Sequence, residues 1–137
     1  MLEKRLYELD INDSFFDSFR IDYFEFNKWF NNNKDRLCYV TYNNNKIVAL
    51  LLLKIENNNL KVSSFKVADT GKGIGTKYMK IIKDYKNNNN LDHIYLTVYE
   101  KYNILIDFLI KNGFKKYGYK DTLDGSNKLQ KELILWI

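Results

Sequence analysis

The chain contains no proline, one histidine and one cysteine in 137 residues. Cys38 has no partner thiol, so no intrachain disulfide can form and a disulfide-stapled framework is excluded. On a predicted strand, Cys38 reads as a small buried hydrophobe. One histidine, His93, cannot build a metal site by itself, and no metal is expected. It reads as a residue that precedes or caps a strand. Long apolar runs are also missing. The longest, Ile47 to Leu53, has seven residues, whereas a membrane span needs roughly 20. The first residues, Met1-Leu2-Glu3-Lys4-Arg5, alternate charge with apolar side chains, unlike a signal peptide. These features together predict a cytoplasmic protein without a membrane partner.

What is present fits one globular domain over residues 1–137. Hydrophobic residues make up 45% and charged residues 28%, ordinary for a chain with its own core. The net charge of +5 favours anionic partners such as a nucleotide cofactor or RNA. The lysines are spread along the chain, so no nucleic-acid surface is indicated. Asparagine is abundant, with 18 residues. Its runs, 31–33, 43–45, 57–59 and 87–90, separate apolar segments and read as turns, because Asn tolerates a left-handed backbone.

Between these turns the pattern predicts a strand over Lys4 to Leu9 and a short helix capped by Asn12 or Asp13 and running through Phe19. A second helix is expected to be capped by Asp22 and to carry Tyr23, Phe26, Trp29 and Phe30 on one face. Strands over Arg36 to Tyr42, Lys46 to Glu56 and Leu60 to Ala68 should form an antiparallel meander. The middle one, apolar at consecutive positions, should be covered on both faces. A helix from Ile74 to Tyr85 follows, with Ile74, Tyr78, Ile81, Ile82 and Tyr85 on one face. A strand around Ile94, Leu96 and Val98 comes next. A helix from Tyr102 to Asn112 is closed by Gly113, and a hairpin of Phe114 to Tyr119 and Lys128 to Trp136 ends the chain. The fold class is α/β (α+β): a mixed, mostly antiparallel sheet with helices on both faces.

Only six glycines occur, and three lie in Gly71-Lys72-Gly73-Ile74-Gly75. This turn joins a strand directly to a helix. Free N–H groups at a helix start and the helix dipole attract a phosphate. Lys72 adds charge at the rim, and Thr76 offers a hydroxyl. The spacing fits neither a P-loop, which requires Gly-Lys-Ser/Thr at its end, nor the Gly-x-Gly-x-x-Gly of dinucleotide folds. The upstream antiparallel strands also oppose a Rossmann unit.

Thr70-Gly71-Lys72-Gly73-Ile74-Gly75 resembles the Gln/Arg-x-x-Gly-x-Gly/Ala segment of the GCN5-related N-acetyltransferase (GNAT) family, with Thr70 replacing the leading Gln/Arg. Lys111-Asn112-Gly113-Phe114 is similar to the family's helix-ending Gly-Phe, and the order of elements agrees over nearly the whole chain. The resemblance implies that the fourth and fifth strands splay to admit acetyl-CoA. Phe65 and Val67 would then offer backbone groups to pantetheine. Lys72, Gly73, Ile74, Gly75 and Thr76 would hold the pyrophosphate, with Asn103 and Tyr102 near the cofactor.

The implied reaction is direct attack by an amine on the thioester in a ternary complex. The family's acid, a tyrosine four residues before the Gly of Gly-Phe, is replaced by Leu109. Tyr102 and Tyr99 are the alternatives as catalytic hydroxyls, and both also read as packing aromatics. Glu56 and Glu100 are candidate bases; the fourth strand carries Ser63 and Ser64 and no carboxylate. The implied partners are acetyl-CoA and an amine acceptor that no motif identifies. A homodimer is compatible with the fold. Two other readings stay open: a non-catalytic acyl-CoA-binding regulatory domain, and an RNA-associated protein of the kind that acylates charged tRNA.

Overall fold

The computed structural model describes residues 1–137. One seven-stranded sheet runs through the molecule. Its strands are β1 Leu2–Arg5, β2 Leu37–Asn43, β3 Lys46–Glu56, β4 Asn59–Val67, β5 Ile94–Tyr99, β6 Lys115–Leu123 and β7 Leu129–Trp136. Their spatial order is β1-β2-β3-β4-β5-β7-β6. Every pairing is antiparallel except β4 with β5. Helices α1 Asp17–Asp22 and α2 Phe26–Asn33 cover one face, and α3 Ile74–Asn88 and α4 Asn103–Lys111 cover the other. No helix is long and apolar enough to cross a membrane.

Two of the four asparagine runs turn the chain as expected. Residues 31–33 instead form the last turn of α2, and Asn87 and Asn88 close α3, because tertiary packing carries the helices through them. Asn44 and Asn45 have φ of 52° and 62°, and Asn57 and Asn58 have 51° and 61°. Two consecutive left-handed residues match the tight two-residue turn whose twist suits a hairpin. They join β2 to β3 and β3 to β4. β3 is buried on both faces. Leu50 and Leu52 face α1 and α2, while Ala49, Leu51 and Leu53 face α3 and α4. Asp13 accepts a hydrogen bond from Phe15 N–H at 2.9 Å and another from Ile47 N–H at 3.0 Å. It therefore caps a 3-10 turn over Ser14–Phe16 and ties it to β3.

Three local expectations need correction. The first strand stops at Arg5, and Leu6–Glu8 turn as a 3-10 segment, which buries Leu6 and Leu9 in the core beneath α1 and α2. Asp22 does not cap a helix: it ends α1, and α2 starts only at Phe26, after Glu25 in the left-handed region at φ 55°. The final hairpin is longer than its apolar pattern suggested. β6 continues to Leu123 through largely exposed residues, held by its ladder to β7.

Candidate active site

The site follows from how β4 ends its pairing. β4 meets β5 only at Leu60–Ile94 and Lys61–Tyr95. β5 then pairs with β7 from Tyr95 to Tyr99, while β4 continues to Val67 against β3 alone. One edge of Val62–Val67 thus carries unpaired backbone groups, able to take an extended ligand as an added strand. Register with β3 slips between Leu52–Ser64 and Leu53–Val62, which places an extra residue, Ser63, on β4. A bulge of this kind turns backbone groups out of the ladder. The gap between β4 and β5 opens into a cavity of about 1050 Å³.

At the far end of β4 stands the glycine turn. Gly71 and Gly73 have φ of 82° and 75°, conformations that side chains with a Cβ resist. Gly73 is the N-terminal cap residue of α3, and its carbonyl accepts the first helical bond, from Lys77 N–H at 3.1 Å. The N–H groups of Ile74, Gly75 and Thr76 therefore precede the first intrahelical donor, as at any helix start. A Cβ on Gly75 would sit 3.4 Å from the Phe108 ring, so this glycine lets α3 start close against α4.

Phe65, Val67, Gly73, Ile74, Gly75, Thr76, Tyr99, Tyr102 and Asn103 all line the cavity. Lys72 does not; its Nζ lies 3.4 Å from an Asp69 carboxylate oxygen on the exposed rim. The two glutamates considered as bases also lie outside. Glu56 pairs with Lys54 at 3.2 Å and Glu100 with Lys131 at 3.7 Å. Leu109 is fully buried in the core. Asn103 is the first residue of α4, at the cavity's edge.

Tyr99 and Tyr102 converge on one residue. The Tyr99 hydroxyl donates to the Asp22 backbone carbonyl at 2.7 Å, and the Tyr102 hydroxyl donates to the Asp22 carboxylate. Lys101 Nζ holds the other carboxylate oxygen at 2.9 Å. Burial, reinforced by Glu132 and Asp22, pushes the Tyr99 phenol up to about 12. Burial and then the hydrogen bond to Asp22 push Tyr102 upward too. Tyr23, whose hydroxyl lies 3.4 Å from the Ser63 carbonyl, is also raised, chiefly by burial. It stacks on Trp29 with ring centroids 4.6 Å apart. These two rings form an aromatic wall facing the β4 bulge.

A family model described as the acetyltransferase (GNAT) family matches residues 4–114. The chain belongs to that family. No curated protein sequence matches this GNAT chain at a significant level. Among solved structures it is similar to a nourseothricin acetyltransferase, with 20% identity and a TM-score of 0.65 over 75% of this chain and 65% of that one. It thus spans less than two thirds of that enzyme's length. A ribosomal-protein-alanine N-acetyltransferase from Brucella melitensis aligns over 100% of this chain and 99% of its own, with 13% identity and a TM-score of 0.70. A Bacillus subtilis acetyltransferase in complex with CoA aligns over 97% and 88%, with 12% identity and a TM-score of 0.61. At such identities the likeness establishes the fold.

Two carboxylates of this GNAT cavity escape a reading of the sequence. Asp22 looks like a helix cap, and its true partners are about eighty positions away. Glu132 sits opposite Tyr99 across β5–β7, lines the cavity and takes no ion pair. Its only signal in the sequence is a place in an alternating strand, shared with every other polar residue of the hairpin. Lys66 on β4 also faces the cavity, and burial holds its ammonium below the ordinary value.

Proposed function

We propose that the chain is an N-acetyltransferase that moves an acetyl group from acetyl-CoA to an amine. The observation that carries this reading is the free edge of Val62–Val67, running from the bulge at Ser63 to the open N–H groups of Ile74–Thr76. Pantetheine would lie along Phe65 and Val67, and the pyrophosphate would rest on Gly73 to Thr76 with Lys72 at the rim. The thioester would then reach the bulge, where a backbone N–H can stabilise the oxyanion. The match to the acetyltransferase family and a solved acetyltransferase of the same fold bound to CoA support the same cosubstrate.

The amine nitrogen attacks the thioester carbonyl carbon. The C–N bond forms, the C–S bond breaks, and the sulfur leaves as a thiolate. A phenol raised to about 12, as at Tyr99, is too weak an acid to serve the thiolate well, since an efficient acid has a pKa near the working pH. Both tyrosine hydroxyls are, moreover, committed to Asp22. We therefore assign Tyr99 and Tyr102 to holding Asp22 and the α1–α2 corner, and Glu132 to receiving the amine proton, directly or through water. Phe24, Trp29 and Tyr23 would wall the acceptor.

The test is a melting-shift and calorimetric titration with acetyl-CoA and CoA, followed by an amine screen. Ligand at 100 times its dissociation constant should stabilise the fold by about 2.7 kcal/mol. No binding by folded protein would sink the reading. Binding with no transfer to any amine would support a non-catalytic acyl-CoA-binding domain, the reading that the buried Leu109 favours.

A further inference from the structure

The acceptor side of the cavity carries a row of cations that the reaction itself does not use. Lys54 on β3 pairs directly with Lys61 on β4. Arg36 lies in the bend just before β2, two residues ahead of Cys38, which pairs with Leu52 of β3. Neighbouring strands lie about 4.8 Å apart, so Lys54 and Lys61 stand side by side, with Arg36 at the edge of the same cavity. Leu60 and Val62 are buried toward α3 and α4, so Lys61 between them faces the α1–α2 side. All three residues line the cavity.

Like charges placed directly opposite on adjacent strands are destabilising, and here little offsets them. Lys54 pairs with Glu56 at 3.2 Å. Arg36 and Lys61 take no ion pair, which leaves the row with a net charge of +2 after three cations and one carboxylate. The Arg36 Nε is buried with no hydrogen-bond partner. An unsatisfied buried donor on a cavity that two lysines also line is the chemistry of an anion site that still lacks its anion's oxygens. Lys61 lies two to three residues before the bulge at Ser63 and Ser64, roughly 7 to 10 Å at about 3.3 Å per residue.

We propose that the acceptor is a small amine carrying a carboxylate or phosphate roughly 7 to 10 Å from its nitrogen, and that Arg36, Lys54 and Lys61 bind that anion. The idea rests on the acetyl-transfer reading for the identity of the reacting end. The anion site itself rests on the cation row alone.

The experiment compares three amines with the same eight-carbon spacer: octylamine, aminooctanoate and aminooctyl phosphate. Calorimetry gives their affinities with and without CoA, and initial rates give kcat/KM for acetyl transfer. The anionic amines should be favoured over octylamine by at least tenfold, about 1.4 kcal/mol. That preference should weaken in high salt. It should shrink toward unity in Arg36→Gln and in Lys61→Gln, and Lys61→Arg should keep it. Each variant should retain the parent's melting shift with acetyl-CoA, which shows that fold and cofactor site are intact. Comparison of carboxylate with phosphate identifies which anion the row prefers.

Equal affinity for octylamine, or a preference that survives both Gln substitutions, overturns the proposal. So does RNA binding that depends on Arg36 and Lys61 while the small anionic amines show no preference. If acetyl-CoA fails to bind, the acetyl-transfer reading falls, and the affinities measured without CoA still decide whether the row binds anions.

Discussion

Glu132 and Asp22 are both carboxylates at the cavity, and their surroundings separate their roles. Asp22 is saturated, with Lys101 on one oxygen and Tyr102 on the other. Glu132 is half-buried and has no such partner. A proton acceptor needs a free oxygen, so the two should respond differently to loss of charge. Glu132→Gln should lower kcat by about 10²-fold, within the usual range for a general base, and leave the acetyl-CoA dissociation constant unchanged. Asp22→Asn should instead weaken the α1–α2 corner, seen as a lower melting temperature with a smaller effect on kcat. Steady-state rates and melting curves on both variants check this. A Glu132→Gln enzyme with parental kcat would remove Glu132 from the mechanism. Neither role could be read along the chain. Asp22 has the local features of a cap, and only contacts across the fold make it a hub. Glu132 becomes visible only once β7 is known to lie between β5 and β6.

At the scale of the element, the strand-to-helix turn was legible because its demands are local. Gly71 and Gly73 need positive φ, and a helix start leaves its N–H groups open wherever it occurs. The Asn44–Asn45 and Asn57–Asn58 turns were legible for the same reason, whereas the runs at 31–33 and 87–88 misled, being absorbed into helices. The α1–α2 corner was not legible, because it depends on Glu25 holding a left-handed conformation, which glutamate itself does not favour. The turn after β6 was equally hidden. Gly125 N–H bonds the Ile21 carbonyl at 2.7 Å, and a Cβ there would overlap the Arg20 carbonyl. That contact locks the β6–β7 turn onto α1.

The phosphate role of Gly73 can be separated from its backbone role. No atom lies within 4 Å of a Cβ built there, so substitution costs strain alone, about 1 kcal/mol for residues that tolerate φ > 0. Gly73→Asn and Gly73→Asp should therefore melt within a few degrees of each other. The Asp variant should bind acetyl-CoA at least tenfold more weakly than the Asn variant, because its charge opposes the pyrophosphate. Equal affinities in the two would mean that no phosphate sits at this helix start.

At the scale of the whole molecule, one sheet separates two cores, and the interior buries titratable groups that the proposed chemistry does not use. Burial, with Glu8 adding to it, pushes the Cys38 thiol from 9.0 up to about 12. Burial likewise lifts the Tyr78 and Tyr99 phenols from 10.0 to about 12. Each of these groups is charged only when deprotonated, and each holds its proton more tightly folded than unfolded. Between about pH 9 and 12 the folded state therefore binds more protons, and stability must fall as pH rises. Their contribution is complete below pH 9 and is lost through 12. Lys66 works the other way, since burial lowers its pKa and deprotonation relieves that burial. It is half-exposed, so it offsets only a small part. The urea midpoint should thus be flat from pH 7 to 9 and fall steeply from 9 to 10.5. Cys38→Val, close in volume and without a thiol, should keep the midpoint at pH 7 and delay the fall, because the tyrosines begin to titrate only near 10. A parent midpoint unchanged at pH 10.5 would show that these groups reach solvent in the folded protein. The two-core packing around β3 would then be looser than the full burial of Cys38 and Tyr78 requires.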